Sequence, residues 1–507
     1  MRVLFVTAEA YPLAKTGGLA DVSRALPIAL ARRGIDVCLL LPGYPRAYTR
    51  IVKPRIVAKL DPILGIDDAT LVAGMFPDVD LPVWLIDSPT LFRRNGGLYQ
   101  DQAGRDWPDN ALRFAFLSHV AAKLAMQQTR IAWKPDVVHA NDWHAGLLPL
   151  LLSLEKGRRP STVFTTHNMA FQGNFGPEVL PVIGVPAHYH TTDGTEFYGQ
   201  VSFLKAGLRY ADRVTTVSPT YAREILTPDF GCGMDGVLRH RGAEFSGILN
   251  GIDDTLWDPA SDVHLPQTYR ASDISGKRTC KATLQHELGL PVRPDAPLIG
   301  FVSRLTHQKM ADTILSAIPW IAEQGAQLVV VGEGEPAIEA AMSEMQAKYS
   351  DHVAVTIGYD EPLAHRLQAG SDILLAPARF EPCGLTQLYA LRYGTLPVVR
   401  RTGGLADTVV DADTTAIAER TATGFVFDDT SMHGLISALG RALTLYEEPL
   451  TWRRLQLHAM AQDFSWDASA AKYIDLYSAV SGIPCTPTDR TTRDKDEIPE
   501  TARQIAR

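Results

Sequence analysis

The chain has 507 residues, of which 46% are hydrophobic and 21% charged, a composition typical of a soluble globular protein. A length of roughly three usual domains of ~150 residues predicts two large domains or three ordinary ones. The net charge of −8 at pH 7 argues against broad binding to nucleic acids or anionic membranes, so any phosphate site must rest on a few local cations.

Strand-like and helix-like segments alternate through the first 249 residues, as they do in β-α-β units. Residues 19–33 predict a helix that ends at Gly34. The predicted strands are 3–6, 36–41, 83–86, 137–139, 163–166 and 214–217. Nearly continuous apolar strands of this kind are typical of a parallel sheet that is buried on both faces.

A second cycle begins near Asn250, after a loop-like stretch over 247–259 that predicts an interdomain hinge. Its predicted strands are 298–302, 328–331, 353–357, 373–376 and 396–399, and its predicted helices include 310–323 and 336–348. We expect an N-terminal domain over 1–249, completed by a closing helix over 464–480, and a C-terminal domain over 250–463. The residues after Gly482 have few apolar side chains, which predicts a disordered tail over 483–507.

The hexapeptide Thr-Gly-Gly-Leu-Ala-Asp occurs twice, at 16–21 and at 402–407. Each copy follows a predicted strand and is preceded by a base, Lys15 or Arg401. Glycines let backbone amides approach a ligand closely, and the start of a helix adds a partial positive charge. The repeat therefore predicts two phosphate sockets. The alternative is a pair of tight strand-to-helix turns without a ligand.

Two loops of the second domain place charged residues directly after predicted strands. Arg304 and Lys309 follow one strand, at the end where open α/β sheets bind ligands. Such a cation pair suits a diphosphate whose negative charge grows as its bond to a sugar breaks. Glu381 follows another strand, and Pro382 restrains its backbone so that the carboxylate can hold sugar hydroxyls. The alternative for the two cations is solvated surface charge, and the alternative for Glu381 is an ordinary Glu that flanks a helix. Tyr359 ends a further strand, either to stack on a purine or to pack in the core.

In the first domain, polar and aromatic residues follow two successive predicted strands. Asp142, Trp143 and His144 come after one strand, and His167 comes after the next. Hydroxyl partners beside an aromatic ring are typical of a sugar-binding wall. A metal is the alternative, but His139, Asp142 and His144 have no recognised zinc spacing, so no metal is expected.

Five stretches resemble motifs of one family: KTGGLAD from Lys15, NDWHAG from Asn141, LNGID from Leu249, EPCGLTQ from Glu381 and RRTGGLADT from Arg400. Over residues 1–480, in this order, the chain resembles bacterial glycogen synthase and plant starch synthase. The resemblance implies an α/β fold of GT-B architecture, with two Rossmann-like domains whose parallel sheets face a deep interdomain cleft. It implies a retaining glucosyltransferase that moves glucose from ADP-glucose to the non-reducing end of an α-1,4-glucan such as glycogen.

The resemblance also implies a role for each matching residue. The donor is faced by Lys15, Gly17, Gly18 and Asp21. The diphosphate is bound by Arg304 and Lys309 together with Thr386, and the adenine stacks on Tyr359. The transferred glucose is held by Glu381 and the backbone of Cys383, Gly384 and Leu385. The sugar and acceptor side is lined by His167, Asp142, Asn250 and Tyr99. Glu381, Arg304, Lys309 and His167 form the expected catalytic set, with no metal or other cofactor.

Two positions depart from the family pattern. The cationic loop usually continues Lys-Gly-x-Asp, whereas Met310 stands here in place of the glycine, which predicts a changed approach of the loop to phosphate. A second Glu is common eight positions after the first in the wider superfamily, and that position is Tyr389 here. The nucleotide ribose must therefore be held by another group.

The residues leave alternatives open for the reaction. A glucosyltransferase of the same architecture that uses UDP-glucose, or a small acceptor such as glucose 1-phosphate, fits the same motifs. A catalytically dead glucan-binding scaffold is a further alternative. Scattered cysteines without a C-x-x-C pair, no apolar run near ~18 residues and no leader before the first strand predict a cytoplasmic protein without membrane partners.

Overall fold

A computed structural model describes residues 1–485 and divides into two compact units. The first unit comprises Met1–Val217, Ala222–Asn250 and the segment from Trp466 onward. The second unit comprises Ser218–Tyr221 and Gly251–Ser465. The tail predicted over 483–507 lies, from residue 486 onward, outside the described residues.

The first unit is built on a nine-stranded sheet, with a separate three-stranded sheet. The strands are β1 Arg2–Val6, β2 Asp36–Pro42, β3 Val52–Lys59, β4 Thr70–Met75, β5 Pro82–Asp87, β6 Val137–Asn141, β7 Ser161–Thr166, β8 Asn174–Phe175, β9 Glu196–Phe197, β10 Gln200–Ser202, β11 Arg213–Thr216 and β12 Phe245–Gly247. The helices up to residue 241 are α1 Gly18–Arg32, α2 Pro45–Arg50, α3 Pro89–Phe92, α4 Asn110–Ala125, α5 Leu147–Leu154, α6 Leu180–Ile183, α7 Phe203–Tyr210, α8 Pro219–Glu224 and α9 Asp235–Arg241.

The large sheet has the order β12-β11-β7-β6-β1-β2-β5-β4-β3. Its strands pair in parallel except at one edge, where β4 is antiparallel to both β5 and β3. The parallel strands, numbered one to seven along the chain, run 3-2-1-4-5-6-7 across the sheet. The order therefore reverses between β1 and β6, which pair directly.

The second unit has one six-stranded sheet in which all strands pair in parallel. Its strands are β13 Leu298–Val302, β14 Gln327–Gly332, β15 Val353–Ile357, β16 Ile373–Ala376, β17 Leu396–Arg400 and β18 Phe425–Phe427. Its helices are α10 Gly276–Glu287, α11 Ala311–Glu323, α12 Pro336–Lys348, α13 Glu361–Gly370, α14 Thr386–Arg392, α15 Gly403–Thr408, α16 Thr414–Glu419, α17 Met432–Tyr446 and α18 Pro449–Met460. The order β15-β14-β13-β16-β17-β18 is the 3-2-1-4-5-6 order of a Rossmann sheet.

A last helix, α19 Trp466–Ser481, lies in the core of the first unit. Its residues Tyr473 and Tyr477 are fully buried, and the Tyr477 hydroxyl lies 2.7 Å from Nδ1 of His139 on β6. Apolar side chains of β1 and β2 pack in the same core, so the end of the chain completes a domain that the first residues begin. Among the helices described through residue 485, none is long and apolar enough to cross a membrane.

The two sheets locate the places where a ligand is expected. In open α/β sheets, ligands bind at the carboxyl ends of the strands, where the strand order reverses. In the first unit these ends are Val6 and Asn141, and in the second unit they are Val302 and Ala376. Asp142 follows β6, Lys309 follows β13 and Glu381 follows β16, whereas His167 and Tyr359 follow the other strands β7 and β15. The predicted α/β class, with Rossmann-like domains built on parallel sheets, is confirmed.

Candidate active site

In the first unit, the loop after β1 is organised by a buried carboxylate. Oε2 of Glu9 accepts hydrogen bonds from the backbone amides of Thr16 and Gly17, at 2.6 and 3.0 Å. Oε1 accepts from the Tyr99 hydroxyl at 2.5 Å. Glu9 is only 3% exposed, and burial raises its pKa. The phosphate-socket interpretation is therefore wrong for these two amides, because the protein's own carboxylate occupies them.

The same loop leaves its other predicted groups at the surface. Lys15 donates to Oδ1 of Asp21 at 2.8 Å, and both side chains are about one-third exposed. A Cβ built on Gly17 or Gly18 meets no other atom within 4 Å. Packing therefore does not require glycine at these two positions, and the space above them is open to a ligand.

Asp142 follows β6 in a strained backbone conformation. Its φ of 55° and ψ of 178° lie in a region that residues other than glycine rarely adopt. Oδ1 of Asp142 accepts from the backbone amide of His167 at 2.8 Å. Burial raises the pKa of Asp142 to about 7. Strain beside a buried acid is typical of functional sites, so this residue stays a strong candidate.

His167 lies in the same cluster and is neutral. Burial lowers its pKa to about 3, and its Nε2 lies 3.1 Å from Oδ1 of Asn141. Since an amide oxygen only accepts, Nε2 carries the hydrogen and Nδ1 carries the lone pair. A neutral ring held in this way positions a sugar hydroxyl better than it donates a proton.

Two other histidines of the predicted sugar wall belong to the core. His139 is fully buried, with Nε2 2.6 Å from the Thr165 hydroxyl and Nδ1 bonded to Tyr477. His144 is 5% exposed and stacks between the rings of Trp143 and Tyr99, with centroids at 4.0 and 4.6 Å. Between residues 1 and 485, no group of three or more His, Cys, Asp or Glu side chains is arranged to hold a metal ion.

Asn250 ends the long middle segment of the first unit. Its side chain is buried, and within the described chain its Oδ1 has no hydrogen-bond partner. A buried acceptor without a partner is unfavourable by about 1–3 kcal/mol, which a bound hydroxyl would relieve.

In the second unit, the two predicted loops are brought together. Lys309 Nζ and Glu381 Oε2 form an ion pair, with side chains 19% and 12% exposed. The loops are also tied through their backbones, since the Arg379 amide donates to the Gln308 carbonyl at 2.9 Å. Arg379 pairs with both carboxylate oxygens of Asp312, at 2.8 and 2.9 Å. Solvated surface charge, the alternative for Lys309, is therefore excluded.

Arg304 and Tyr359 remain accessible. Arg304 is exposed, and its guanidinium donates to Oε1 of Gln308 at 3.2 Å. Tyr359 is 60% exposed, so its ring is not part of the core, the alternative left open by its sequence position. Both side chains follow carboxyl ends of the parallel sheet.

The loop after Glu381 is shaped by Gln387, a residue for which the motif predicts no role. Gln387 is fully buried, and its Nε2 donates to the carbonyls of Cys383 and Gly384 at 3.1 and 3.0 Å. Gly384 has a φ of 72°, which favours glycine. Gln387 therefore fixes the backbone of residues 383–385, up to Thr386, where α14 begins. The motif itself could have indicated this role, because Gln387 is the second residue of α14, where an amide side chain can reach back to the preceding loop.

The second hexapeptide supports this loop rather than an anion. A Cβ on Gly403 would lie 1.8 Å from the Glu381 carbonyl oxygen, and one on Gly404 would lie 2.1 Å from that of Cys383. The Gly404 amide donates to the Glu381 carbonyl at 3.2 Å. Arg401 pairs with Asp428. The predicted second phosphate socket is therefore wrong, and its glycines permit close backbone packing under Glu381.

The two departures from the family pattern have structural accounts. Met310 adopts φ 53° and ψ 29°, the left-handed conformation that glycine favours, while its side chain is fully buried. The loop therefore keeps a glycine-like backbone without the glycine, against the expectation of a changed approach. The Tyr389 ring stacks on Trp257, with centroids 3.8 Å apart and planes at 12°.

Comparisons with known proteins agree with this geometry. Residues 2–240 match the starch synthase catalytic domain family, and residues 289–454 match the family of glycosyl transferases group 1. The glycogen synthase of Burkholderia thailandensis is 52% identical, over 99% of this chain and 94% of its own length. That of Paramagnetospirillum magneticum is 51% identical, over 95% of this chain and 98% of its own.

Solved structures support the same fold. The catalytic domain of starch synthase IV from Arabidopsis thaliana, bound to ADP and acarbose, superimposes with a TM-score of 0.85 at 33% identity, covering 95% of this chain and 99% of that one. A sucrose-phosphate synthase from Thermosynechococcus elongatus superimposes with a TM-score of 0.58 at 18% identity, over 95% of this chain and all of that one, and shows the fold alone. The predicted GT-B class is confirmed.

Proposed function

Because the chain belongs to the glycogen synthase and starch synthase family of glycosyltransferases, we propose that it transfers glucose from ADP-glucose to the non-reducing end of an α-1,4-glucan, with retention and release of ADP. The observation that carries the proposal is the ion pair between Lys309 and Glu381. It lies at the carboxyl ends of β13 and β16, where the strand order of the second unit reverses. The starch synthase relative is described as bound to ADP, the product that this reaction releases.

The second unit supplies the donor site. Arg304 and Lys309 bind the diphosphate, and the exposed ring of Tyr359 stacks on the adenine. Lys309 is paired with Glu381, and phosphate oxygens of the donor replace this partner in the proposed complex. Glu381 is then released to hold the transferred glucose, together with the backbone of residues 383–385 that Gln387 fixes.

The reaction is a front-face substitution. The bond between the anomeric carbon and the β-phosphate oxygen breaks, and the electron pair leaves with ADP. The acceptor 4-hydroxyl forms the new bond on the same face, and its proton passes to the departing phosphate oxygen. The cations stabilise the charge that grows on the diphosphate, and Glu381 balances the positive charge that grows on the sugar.

The first unit supplies the acceptor side and the loop that faces the donor. Asp142, neutral His167 and Asn250 present hydrogen-bonding groups to sugar hydroxyls, and Tyr99 presents its ring. No group of this set acts as a covalent nucleophile in the proposed route. We propose that no metal takes part in the reaction.

The deciding experiment measures ADP release from ADP-glucose, with and without glycogen. Glycogen-dependent ADP release with growth of α-1,4-linked chains supports the proposal. Preference for UDP-glucose, or for glucose 1-phosphate as acceptor, would replace it with the related transferase activity. Binding of glycogen without nucleotide release from either sugar would indicate a glucan-binding scaffold. Loss of activity in EDTA that Mg²⁺ restores would contradict the metal-free route.

A further inference from the structure

We propose that Glu9 is a positioning residue that joins the 15–18 loop to Tyr99 and so sets the binding of both substrates at once. The inference rests on the proposed function, in which this loop faces the donor and Tyr99 lines the acceptor side. The family resemblance assigns no protein partner to the loop or to Tyr99, and Glu9 lies outside the motifs that carry the resemblance.

The joint consists of three hydrogen bonds on one carboxylate. Oε2 accepts two backbone amides of the loop, at 2.6 and 3.0 Å, and Oε1 accepts the Tyr99 hydroxyl at 2.5 Å. Bonds to an ionised acceptor are about twice as strong as bonds between neutral groups. Glu9 stands three residues after the end of β1, at the strand-order reversal of the first unit. Its amide donates to the Thr7 hydroxyl at 3.3 Å, and the Thr7 amide donates to the Leu40 carbonyl of β2 at 3.1 Å, so the backbone near Glu9 is tied to the sheet.

Tyr99 is fixed from two directions. Its ring stacks on His144 with centroids 4.6 Å apart and planes at 26°. The Phe114 ring packs beside it, with ring centroids 5.8 Å apart. Its hydroxyl is held by Glu9. Packing therefore sets the plane of the ring, while Glu9 sets where the hydroxyl end points. Loss of Glu9 frees the end of Tyr99 and the loop amides together.

Glu9 acts through these partners rather than on a substrate. It is 3% exposed, and three of the roughly four acceptor sites of its carboxylate are taken by protein donors, so burial keeps it from a sugar hydroxyl. Two other acidic residues lie nearby. Asp21 is partly exposed, and Asp142 has the strained backbone described above. The role of Glu9 is thus geometric.

Substitutions separate the two arms of the joint, which are the hydrogen bonds from the loop amides and the hydrogen bond from the Tyr99 hydroxyl on the acceptor side. Glu9→Gln keeps the shape: its oxygen accepts the loop amides, and its NH₂ group donates to the Tyr99 hydroxyl, which then acts as acceptor. Glu9→Ala removes both arms. Tyr99→Phe removes only the acceptor-side arm. Asp68→Asn is a matched control, because Asp68 accepts the Thr90 amide and two hydroxyls at 2.8–3.0 Å but lies outside the site.

The test measures KM for ADP-glucose and for glycogen by ADP release. Glu9→Ala is expected to raise both KM values about 10- to 100-fold, the range of losing bonds to a charged acceptor. Glu9→Gln is expected to raise both by less than about tenfold, and Tyr99→Phe to raise only that for glycogen. Asp68→Asn changes neither. A Glu9 variant that alters one KM alone, or neither, overturns the proposal.

A second readout does not depend on turnover. In ligand-free protein, hydrogen exchange at the Thr16 and Gly17 amides is expected to be at least about tenfold faster in Glu9→Ala than in wild type, and unchanged in Asp68→Asn. Unchanged exchange in Glu9→Ala overturns the joint. Should Glu9→Ala not fold, Glu9→Gln carries both measurements, with parallel and smaller changes expected. Faster exchange in a protein whose wild type releases no ADP would support the joint while contradicting the proposed function.

Discussion

Met310 offers a direct measurement of backbone strain in the cationic loop. The residue holds φ 53° immediately before α11, with its side chain fully buried in the core of the second unit. The left-handed conformation is unfavourable by about 1–2 kcal/mol for a residue with a Cβ. Burial of the side chain offsets this, since truncation of a buried Met to Ala typically destabilises a protein by about 2–5 kcal/mol.

Two truncations of Met310 isolate the strain. Met310→Ala loses the buried side chain and keeps the strain, whereas Met310→Gly loses the side chain and relieves the strain. Glycine also adds about 0.4–1 kcal/mol of backbone entropy to the unfolded state. At the middle of these two ranges, the difference leaves Met310→Gly more stable than Met310→Ala by about 0.8 kcal/mol, although both are less stable than wild type.

Urea unfolding followed by fluorescence and circular dichroism measures the difference as a shift in midpoint. Ala317, fully buried within α11, is the matched control: there Ala317→Gly is expected to destabilise the protein by about 1 kcal/mol, the usual ranking of these residues in a helix. Equal stability of the two Met310 variants, or greater stability of Met310→Ala, would refute the strain argument. The KM of Met310→Gly for ADP-glucose should stay within about threefold of wild type, because the backbone is unchanged.

Arg304→Ala is expected to lower turnover on saturating ADP-glucose by about 10²- to 10³-fold, as for other preorganised charge stabilisers, and wild-type turnover would contradict its assignment. Asp142, whose pKa burial raises to about 7, binds its proton more tightly folded than unfolded, so its contribution to stability falls as pH rises toward 7. Between pH 5 and 7 the unfolding free energy of wild type should therefore fall by about 1 kcal/mol per pH unit relative to Asp142→Asn, and parallel curves would exclude this titration. Gly403→Ala places a Cβ 1.8 Å from the Glu381 carbonyl, so kcat should fall more than in Gly440→Ala, where the atom nearest to the Cβ is 3.9 Å away; equal kcat values would argue against the packing role.

Much of the fold could be predicted because the central strands are buried on both faces. β13, β15 and β16 have the predicted bounds, and β1 and β14 differ by one residue at one or both ends. Two of the missed strands, β3 and β18, lack a clear signal of this kind. β3 is an edge strand with Pro54 and three basic residues, and most of its side chains are exposed. β18 has only three residues, too few for a period to appear.

The candidate site divides in the same way. Arg304, Lys309 and Glu381 could be located because a parallel sheet brings the carboxyl ends of its strands to one edge. The partners of backbone amides could not be predicted, since tertiary structure supplies them. The two hexapeptides are identical, but amides of the first donate to the Glu9 carboxylate, whereas an amide of the second donates to the Glu381 carbonyl. Nothing local to Glu9 indicates that the donors to its carboxylate are two amides seven and eight residues later.

The position of α19 has a consequence for synthesis on the ribosome. The buried rings of Tyr473 and Tyr477 pack in the same core as β1. The hydrogen-bond partner of His139, the Tyr477 hydroxyl, is synthesised 338 residues later. The N-terminal half therefore leaves the exit tunnel before α19, which completes its core, has been made. The 251–465 segment, in contrast, contains all strands of its sheet in one continuous stretch. Vectorial folding should thus finish the later-made half first, and nascent chains that stall before residue 466 should be the ones that recruit chaperones.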